Sequence, residues 1–275
     1  MVEILKLNAI LLHLNRKSYL LLLPKLLIKM LTEREEWFET WFDSPYYHIL
    51  YHNRDYKEAE TFISNLLNYI KVDKDSNCLD LACGKGRHSL YLNKKGLKVT
   101  GLDLSENSIQ YAKSFENERL TFDVHDMREV YIESEYDIVF NLFTSFGYFE
   151  KYEDNVNVID SIFKMLKDNG RLVLDFMNTY FVLNNLVKNE TQIVQGIEFH
   201  ISRKYDGQHI IKTIDFEDKG KTFHFQEKVQ AIKLDDFEIL LENSGFKITD
   251  TLGDSNMNPY DKRTSERLII IAEKI

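Results

Sequence analysis

Residues 77–87 read Asn77-Cys78-Leu79-Asp80-Leu81-Ala82-Cys83-Gly84-Lys85-Gly86-Arg87. The first six have the apolar content of a buried strand, Asn77 to Ala82, and Arg87 to Lys95 has helical spacing that Gly96 ends. Between them lie small residues and two glycines. A strand that runs through such a turn into a helix lets a ligand approach the backbone closely, and the helix N-terminus favours a negatively charged ligand group.

The same unit repeats downstream. Leu97 to Asp103 is predicted as the next strand, Ser105 as the cap of a helix reaching about Phe115, and 120–124 and 136–143 as two more strands. Val156, Ile159, Ile162, Phe163 and Leu166 give a helical face that stops at Asp168-Asn169-Gly170, and Arg171 to Phe176 is a strand again. Strands alternating with helices imply βαβ units, right-handed crossovers and a parallel sheet: an α/β fold. The pattern then changes. Ile197 to Tyr205, His209 to Phe216 and Thr222 to Ile232 alternate with a period of two, with turns at Asp206-Gly207 and Asp218-Lys219-Gly220. A helix follows, with Asp235 and Glu238 placed as a capping box and Gly245 at its end; 246–252 and 268–272 are the closing strands. An antiparallel β insertion therefore precedes the last helix.

Upstream, Trp37, Phe38, Trp41 and Phe42 form an apolar stripe that Asp43-Ser44-Pro45 breaks, and a second helix starts near Asp55 with Ala59, Phe62, Ile63, Leu66, Leu67 and Ile70 on one face. Residues 1–29 are Leu-rich, but Lys6, Arg16, Lys17, Lys25 and Lys29 interrupt every run short of a membrane span. They read as an N-terminal extension, with translation starting at Met30; the alternative is an amphipathic helix touching a membrane or partner. The organisation expected is cap helices in 32–70, a core in 71–180, a β flap in 190–232 and closing elements in 233–275.

Composition narrows the classes. The formal net charge of -9, from 35 basic and 44 acidic side chains, disfavours a protein that binds mainly by neutralising phosphates. Two cysteines, Cys78 and Cys83, supply neither a disulfide framework nor metal-ligand spacing, which fits a cytoplasmic setting and no metal. Cys78 reads as core and Cys83 as a small packed residue.

Two further acids bear on the ligand. Asp103 ends the second strand about twenty residues after the glycine turn, where a carboxylate accepts hydrogen bonds from ribose hydroxyls. His125-Asp126-Met127 follows the third strand. The crevice of such sheets lies at the carboxyl ends of the strands, so the three stretches converge there. Asp126 taken alone also reads as a helix cap.

These residues resemble class I S-adenosylmethionine (AdoMet)-dependent methyltransferases, whose first strand ends in Asp/Glu-x-Gly-x-Gly-x-Gly; the match here is Asp80-x-Ala82-x-Gly84-x-Gly86, with alanine at the first glycine. The resemblance covers about 77–178 well and implies a Rossmann-like seven-stranded sheet with helices on both faces. It implies that Gly84 and Gly86 approach the methionyl part of AdoMet, that Asp80 orients its amino group, that Asp103 holds the ribose, and that Asp126 meets the adenine amino group with Met127 beside the ring. Cys83, Arg87, Leu104 and Asn141 complete the expected cofactor wall. Trp41 to Tyr47 and Thr144 to Tyr148 look like a bacterial small-molecule-type subgroup. The rival cofactor is a nicotinamide dinucleotide, for which Gly84-x-Gly86-x-x-Ser89 is only a partial fingerprint.

Methyl transfer from a sulfonium is an in-line displacement whose main demand is alignment. The stretch from Asn141 to Tyr148 should face the methyl group, with Tyr148 positioning the acceptor or moving a proton. Trp41, Tyr46, Tyr47, Tyr51 and Phe146 are expected around the acceptor, and Arg54 near the AdoMet carboxylate. His48, His52 and His200 are the candidate bases. An Asn-Pro-Pro-Tyr-like motif is missing after the fourth strand, where Asn141-Leu142-Phe143-Thr144 stands, and no cysteine follows the fourth or fifth strand. The expectation is therefore methylation of an O or N atom of a small molecule, yielding S-adenosylhomocysteine (AdoHcy). RNA or protein methylation, or silent AdoMet binding, are the alternatives. The flap is expected to shape the acceptor pocket or make a homodimer.

Overall fold

The computed structural model describes residues 37–52 and 56–275. Two short helices, α1 (Trp37–Phe42) and α2 (Pro45–Leu50), precede α3 (Tyr56–Ile70). The α/β part comprises β1 (Asn77–Leu81), α4 (Arg87–Lys94), β2 (Lys98–Asp103), α5 (Glu106–Ala112), β3 (Leu120–Val124), β4 (Tyr136–Asn141), α6 (Tyr152–Met165) and β5 (Leu166–Met177). After α7 (Thr179–Asn184) come the antiparallel strands β6 (Asn189–Val194), β7 (Ile197–Tyr205), β8 (His209–Asp218) and β9 (Lys221–Gln230). The chain closes with α8 (Leu234–Asn243), β10 (Phe246–Leu252) and β11 (Arg267–Lys274).

The large sheet has seven strands in the order β10-β11-β5-β4-β1-β2-β3. All neighbours are parallel except β11, which runs antiparallel to both β5 and β10. Strand order reverses between β1 and β4, so their carboxyl ends form the topological switch point. The sheet is covered on both faces, and its central strands β1 and β4 are accordingly buried almost throughout, whereas β3 and β10 at the edges keep polar, exposed positions. Alternation across the pleat sorts them: Leu172 and Leu174 of β5 and Ile270 of β11 pack with Val158, Ile162, Phe237 and Leu241 of α6 and α8. Val173, Ile269 and Ile271 face the other way, toward Phe62, Leu66, Leu92 and Ile109 of α3, α4 and α5.

The four antiparallel strands form a second sheet, in the order β6-β7-β8-β9. Its inner face packs Phe199, Ile201, Ile214 and Phe216 against Trp41 and Leu50 of α1 and α2. The helix pair thus lies against this flap. At its far end the flap is tied back to the core: Gln230 N–H donates to the Gly147 carbonyl at 2.8 Å, and the Gln230 side chain donates to the Phe149 carbonyl and accepts from Asn155, both at 2.7 Å.

Several local expectations shift. Asp43-Ser44-Pro45 breaks one helix and starts the next: Ser44 accepts from Tyr46 N–H at 3.2 Å and Pro45 stands in the first turn. Leu166 leaves the helix and pairs with Tyr136, because Asn169 at φ 60° makes the turn inside β5 rather than before it. The α8 start lies earlier than Asp235, with Asp236 accepting from Lys233 N–H at 2.9 Å, so the Asp235–Glu238 box does not form. β6 was not foreseen. It joins β7 through Gln195-Gly196, both at positive φ, a hairpin turn that usually carries Asn or Asp first.

Candidate active site

The turn after β1 is built from left-handed residues. Ala82, Gly84 and Gly86 have φ of 63°, 55° and 79°. A Cβ on Gly86 would stand 2.7 Å from the Phe122 ring, so that glycine serves packing. A Cβ on Gly84 would meet nothing within 4 Å and would point into open space. Cys83 N–H donates to the Leu102 carbonyl at 2.9 Å, which holds the turn against β2.

Three carboxylates end the first three parallel strands with different surroundings. Asp80 is 1% exposed and accepts the Ser89 hydroxyl at 2.5 Å. Burial raises its carboxyl to about 6, against the lowering effect of Ser89. Asp103 accepts Gly84 N–H at 2.7 Å and Ser105 N–H at 2.9 Å. Burial raises its carboxyl too, opposed by those two N–H groups and aided by the negative charge of Asp43. Asp126 is held by Arg128, whose Nε lies 3.0 Å from both carboxylate oxygens. Burial works against its ionisation, but the Arg128 hydrogen bonds outweigh that and keep its carboxyl below the usual range.

A cavity of about 400 Å³ opens over these strand ends. Ala82, Cys83, Gly84, Arg87, Asp103, Leu104, Asp126 and Met127 line it. Of the other residues expected beside a cofactor, Gly86 faces Phe122, and Asp80 and Asn141 lie beneath the wall. Asn141 is buried, its amide donating to the Leu81 carbonyl at 3.1 Å while its Oδ1 has no partner.

The opposite wall is aromatic. Phe38, Phe42, Tyr47 and Tyr51 reach it from α1 and the residues around α2, and Tyr148 and Phe149 from the loop after β4. Phe42 lies 5.0 Å from Tyr47 and 5.3 Å from Tyr148, ring centre to ring centre. Three residues expected here are elsewhere. Trp41 is fully buried against the flap and donates to Glu227 at 2.7 Å; Tyr46 donates to Asp218 at 2.9 Å; Phe146 packs on Phe237 in the core. On so short a helix, one face meets the cavity and the other the flap, and aromatic content alone does not separate them. Arg54 lies outside the described residues, as does the segment 1–29.

Sequence reasoning missed His88 and had Phe143 only as part of the stretch 141–148 expected to face the methyl group. Both line the cavity, their rings stacked at 4.8 Å. Phe143 and Thr144 both adopt left-handed φ, 59° and 57°, which nothing in their residue types announces. His48 and His52 line the cavity, together with His125, whereas His200 sits out on β7 near Glu198. Burial and the Lys85 charge lower the His48 pKa, Asp43 opposing; burial, Arg87 and Arg267 lower that of His88 further. Both shifts favour the neutral form of the imidazole, more strongly for His88. Among the described residues, no group of three His, Cys, Asp or Glu side chains could hold a metal ion, and no helix is long and apolar enough to cross a membrane.

A doubly wound sheet with a cavity at its switch point, a glycine turn after β1 and two carboxylates in the wall after β2 and β3 has the arrangement of an α/β protein of the nucleoside-cofactor type. The chain belongs to the methyltransferase-domain family, whose model matches residues 72–227, and it is a class I AdoMet-dependent methyltransferase. It is 29% identical over 207 residues to YqeM of Bacillus subtilis, a protein named as a methyltransferase, spanning 71% of this chain and 83% of that one. It is 27% identical over 242 residues to the glycine/sarcosine N-methyltransferase of Aphanothece halophytica, spanning 82% and 85% respectively. An AdoMet-dependent methyltransferase structure from Clostridium acetobutylicum superposes with a TM-score of 0.70 over 83% of this chain and 96% of that one, at 20% identity.

Proposed function

We propose that the enzyme transfers the methyl group of AdoMet to a nitrogen or oxygen atom of a small molecule enclosed in the cavity. The observation that carries this is the continuity of one walled space, from the Ala82–Gly84 turn, Asp103 and Asp126 at one end to Phe42, Tyr47, Tyr51 and Tyr148 at the other. A cavity of this size suits small ligands, and α1 and α2 wall it on the aromatic side. The name of the Aphanothece halophytica relative points to amines within that class.

The residues present fit the cofactor. The open Cβ direction at Gly84 leaves room for the methionyl part against the backbone. Asp103 faces the cavity with its carboxylate braced by two N–H groups, ready to accept the ribose hydroxyls. Asp126 and Met127 stand where the adenine amino group and ring would lie. Asp80 and the unpartnered Asn141 Oδ1 lie under the site and orient the amino-acid end. Bound there, AdoMet supplies a methyl group activated by a sulfonium. The protein's part is alignment: the aromatic wall favours a cationic centre, and His48, neutral in the wall, accepts a proton from an acceptor that must lose one.

Calorimetric titration with AdoMet and AdoHcy, against NAD, tests the reading, with Asp103→Ala as control. Binding of the pair that Asp103→Ala abolishes is the expected result. Binding of NAD alone, or of none of the three, overturns it.

A further inference from the structure

The aromatic wall and the cofactor-facing acids are carried by different parts of the chain: Arg128 links Asp126 to the Phe149 ring, 4.9 Å from its centre, and Asp43 links the turn between α1 and α2 to the Asp103 loop. Asp43, in the turn between α1 and α2, accepts the Ser105 hydroxyl at 2.6 Å through one oxygen and the Asn107 amide through the other. Ser105 is also the N-cap of α5, accepting Ser108 N–H at 3.0 Å, and its own N–H donates to Asp103. Two hydrogen bonds therefore separate the Asp43 carboxylate from that of Asp103. The Asp43 charge also acts on Lys85 and His48, which line the cavity on either side. Phe42 lies one residue before Asp43, Tyr47 four after it.

On their other side, α1 and α2 grip the flap. Trp41 Nε1 and the Tyr51 hydroxyl both donate to Glu227 Oε1, at 2.7 and 2.5 Å, and Lys212 donates to Tyr51. Asp43 accordingly fastens this layer toward the cofactor end.

We propose that Asp43 is a positioning residue that fastens the acceptor-facing wall to the loop carrying Asp103, so that filling the cofactor end sets the acceptor end. This rests on the reading that Asp103 receives the cofactor. The consequence is thermodynamic: if the wall settles on Asp43 when the cofactor binds, cofactor affinity includes the energy of that contact, although Asp43 does not touch the cofactor.

The test is a donor–acceptor swap read by AdoHcy affinity and tryptophan shielding. The protein has two tryptophans, Trp37 and Trp41, both on α1, so acrylamide quenching reports this layer alone. Asp43→Asn sets one amide against that of Asn107. It is expected to weaken AdoHcy binding about tenfold, the scale of one charge-assisted hydrogen bond, and to remove the extra tryptophan shielding that AdoHcy gives the wild type. Combining it with Asn107→Asp reverses donor and acceptor while keeping the net charge. The added acid sits in the first turn of α5, where helices accept one, and the double variant is expected to regain both signals. Thermal unfolding of each variant establishes that it is folded at the assay temperature.

Affinity of Asp43→Asn within twofold of wild type, with shielding intact, overturns the proposal. So does a double variant as weak as the single one, because the loss then does not come from this pair. If the wild type does not bind AdoHcy at all, the cofactor reading falls and this inference falls with it; binding without the Asp43 effect defeats the inference alone.

Discussion

Asp175, at the end of β5, and Arg267, at the start of β11, form a two-pronged ion pair in which Arg267 Nε donates to Asp175 Oδ1 at 2.9 Å and the second guanidinium nitrogen donates to Oδ2. The same carboxylate accepts Phe143 N–H at 2.8 Å, and the Asp175 carbonyl accepts Thr144 N–H at 2.9 Å. The guanidinium lies 4.4 Å from the Phe143 ring centre. One pair thus welds the antiparallel strand to the sheet and pins two left-handed residues, Phe143 in the cavity wall and Thr144 next to it.

Removing one partner leaves a buried charge uncompensated, since Asp175 is 1% exposed. Arg267→Met is expected to cost about 3 kcal/mol of stability in urea unfolding. Adding Asp175→Asn should recover a good part of that, because the remaining amide oxygen still accepts Phe143 N–H. A double variant no more stable than Arg267→Met would show that the aromatic contact, not the charge, dominates.

The two glycines of the turn should fail in different ways. Gly86→Ala forces a left-handed alanine onto the Phe122 ring and is expected to cost ~3 kcal/mol of stability. Gly84→Ala meets open space, costs about 1 kcal/mol through its backbone alone, and places a methyl group where the ligand belongs. AdoHcy affinity of Gly84→Ala should fall at least about tenfold, or 1.4 kcal/mol. Melting curves and calorimetry on the two variants separate these effects.

Asp80 gives a pH signature. Folding raises its carboxyl from 3.8 to about 6, so the folded state binds this proton more tightly than the unfolded state. Its contribution to stability is complete below pH 4 and is lost as pH rises toward and past 6. A shift of about two units corresponds to an upper figure of about 3 kcal/mol. Asp80→Asn should therefore flatten the ligand-free stability profile between pH 4 and 6 and raise the melting temperature at pH 7. Its affinity for AdoHcy should drop. An unchanged pH profile would place the buried charge elsewhere.

The core of the fold was legible because its signals are local. Apolar runs alternate with helical spacing through 77–176, and Asp80, Asp103 and Asp126 stand at successive strand ends. What escaped was decided by tertiary contacts. Ala82 takes the left-handed φ that its glycine counterpart would take freely, because Cys83 is bonded to β2. Phe143 enters the cavity wall because Asp175 and Arg267, far along the chain, hold its backbone. Trp41 and Phe42 are adjacent and equally aromatic, yet one faces the flap and the other the cavity; only the docking of the flap separates them.

That docking has a mechanical corollary. Among the described residues, no flap strand contributes a side chain to the cavity lining; the flap supports α1 and α2 from behind, through Glu227, Lys212 and Asp218. The β insertion works as a backing plate, in contact with the helix pair and not with the cavity itself. A substitution on the inner face of the flap can thus reshape the cavity without meeting its contents, by shifting the layer it supports.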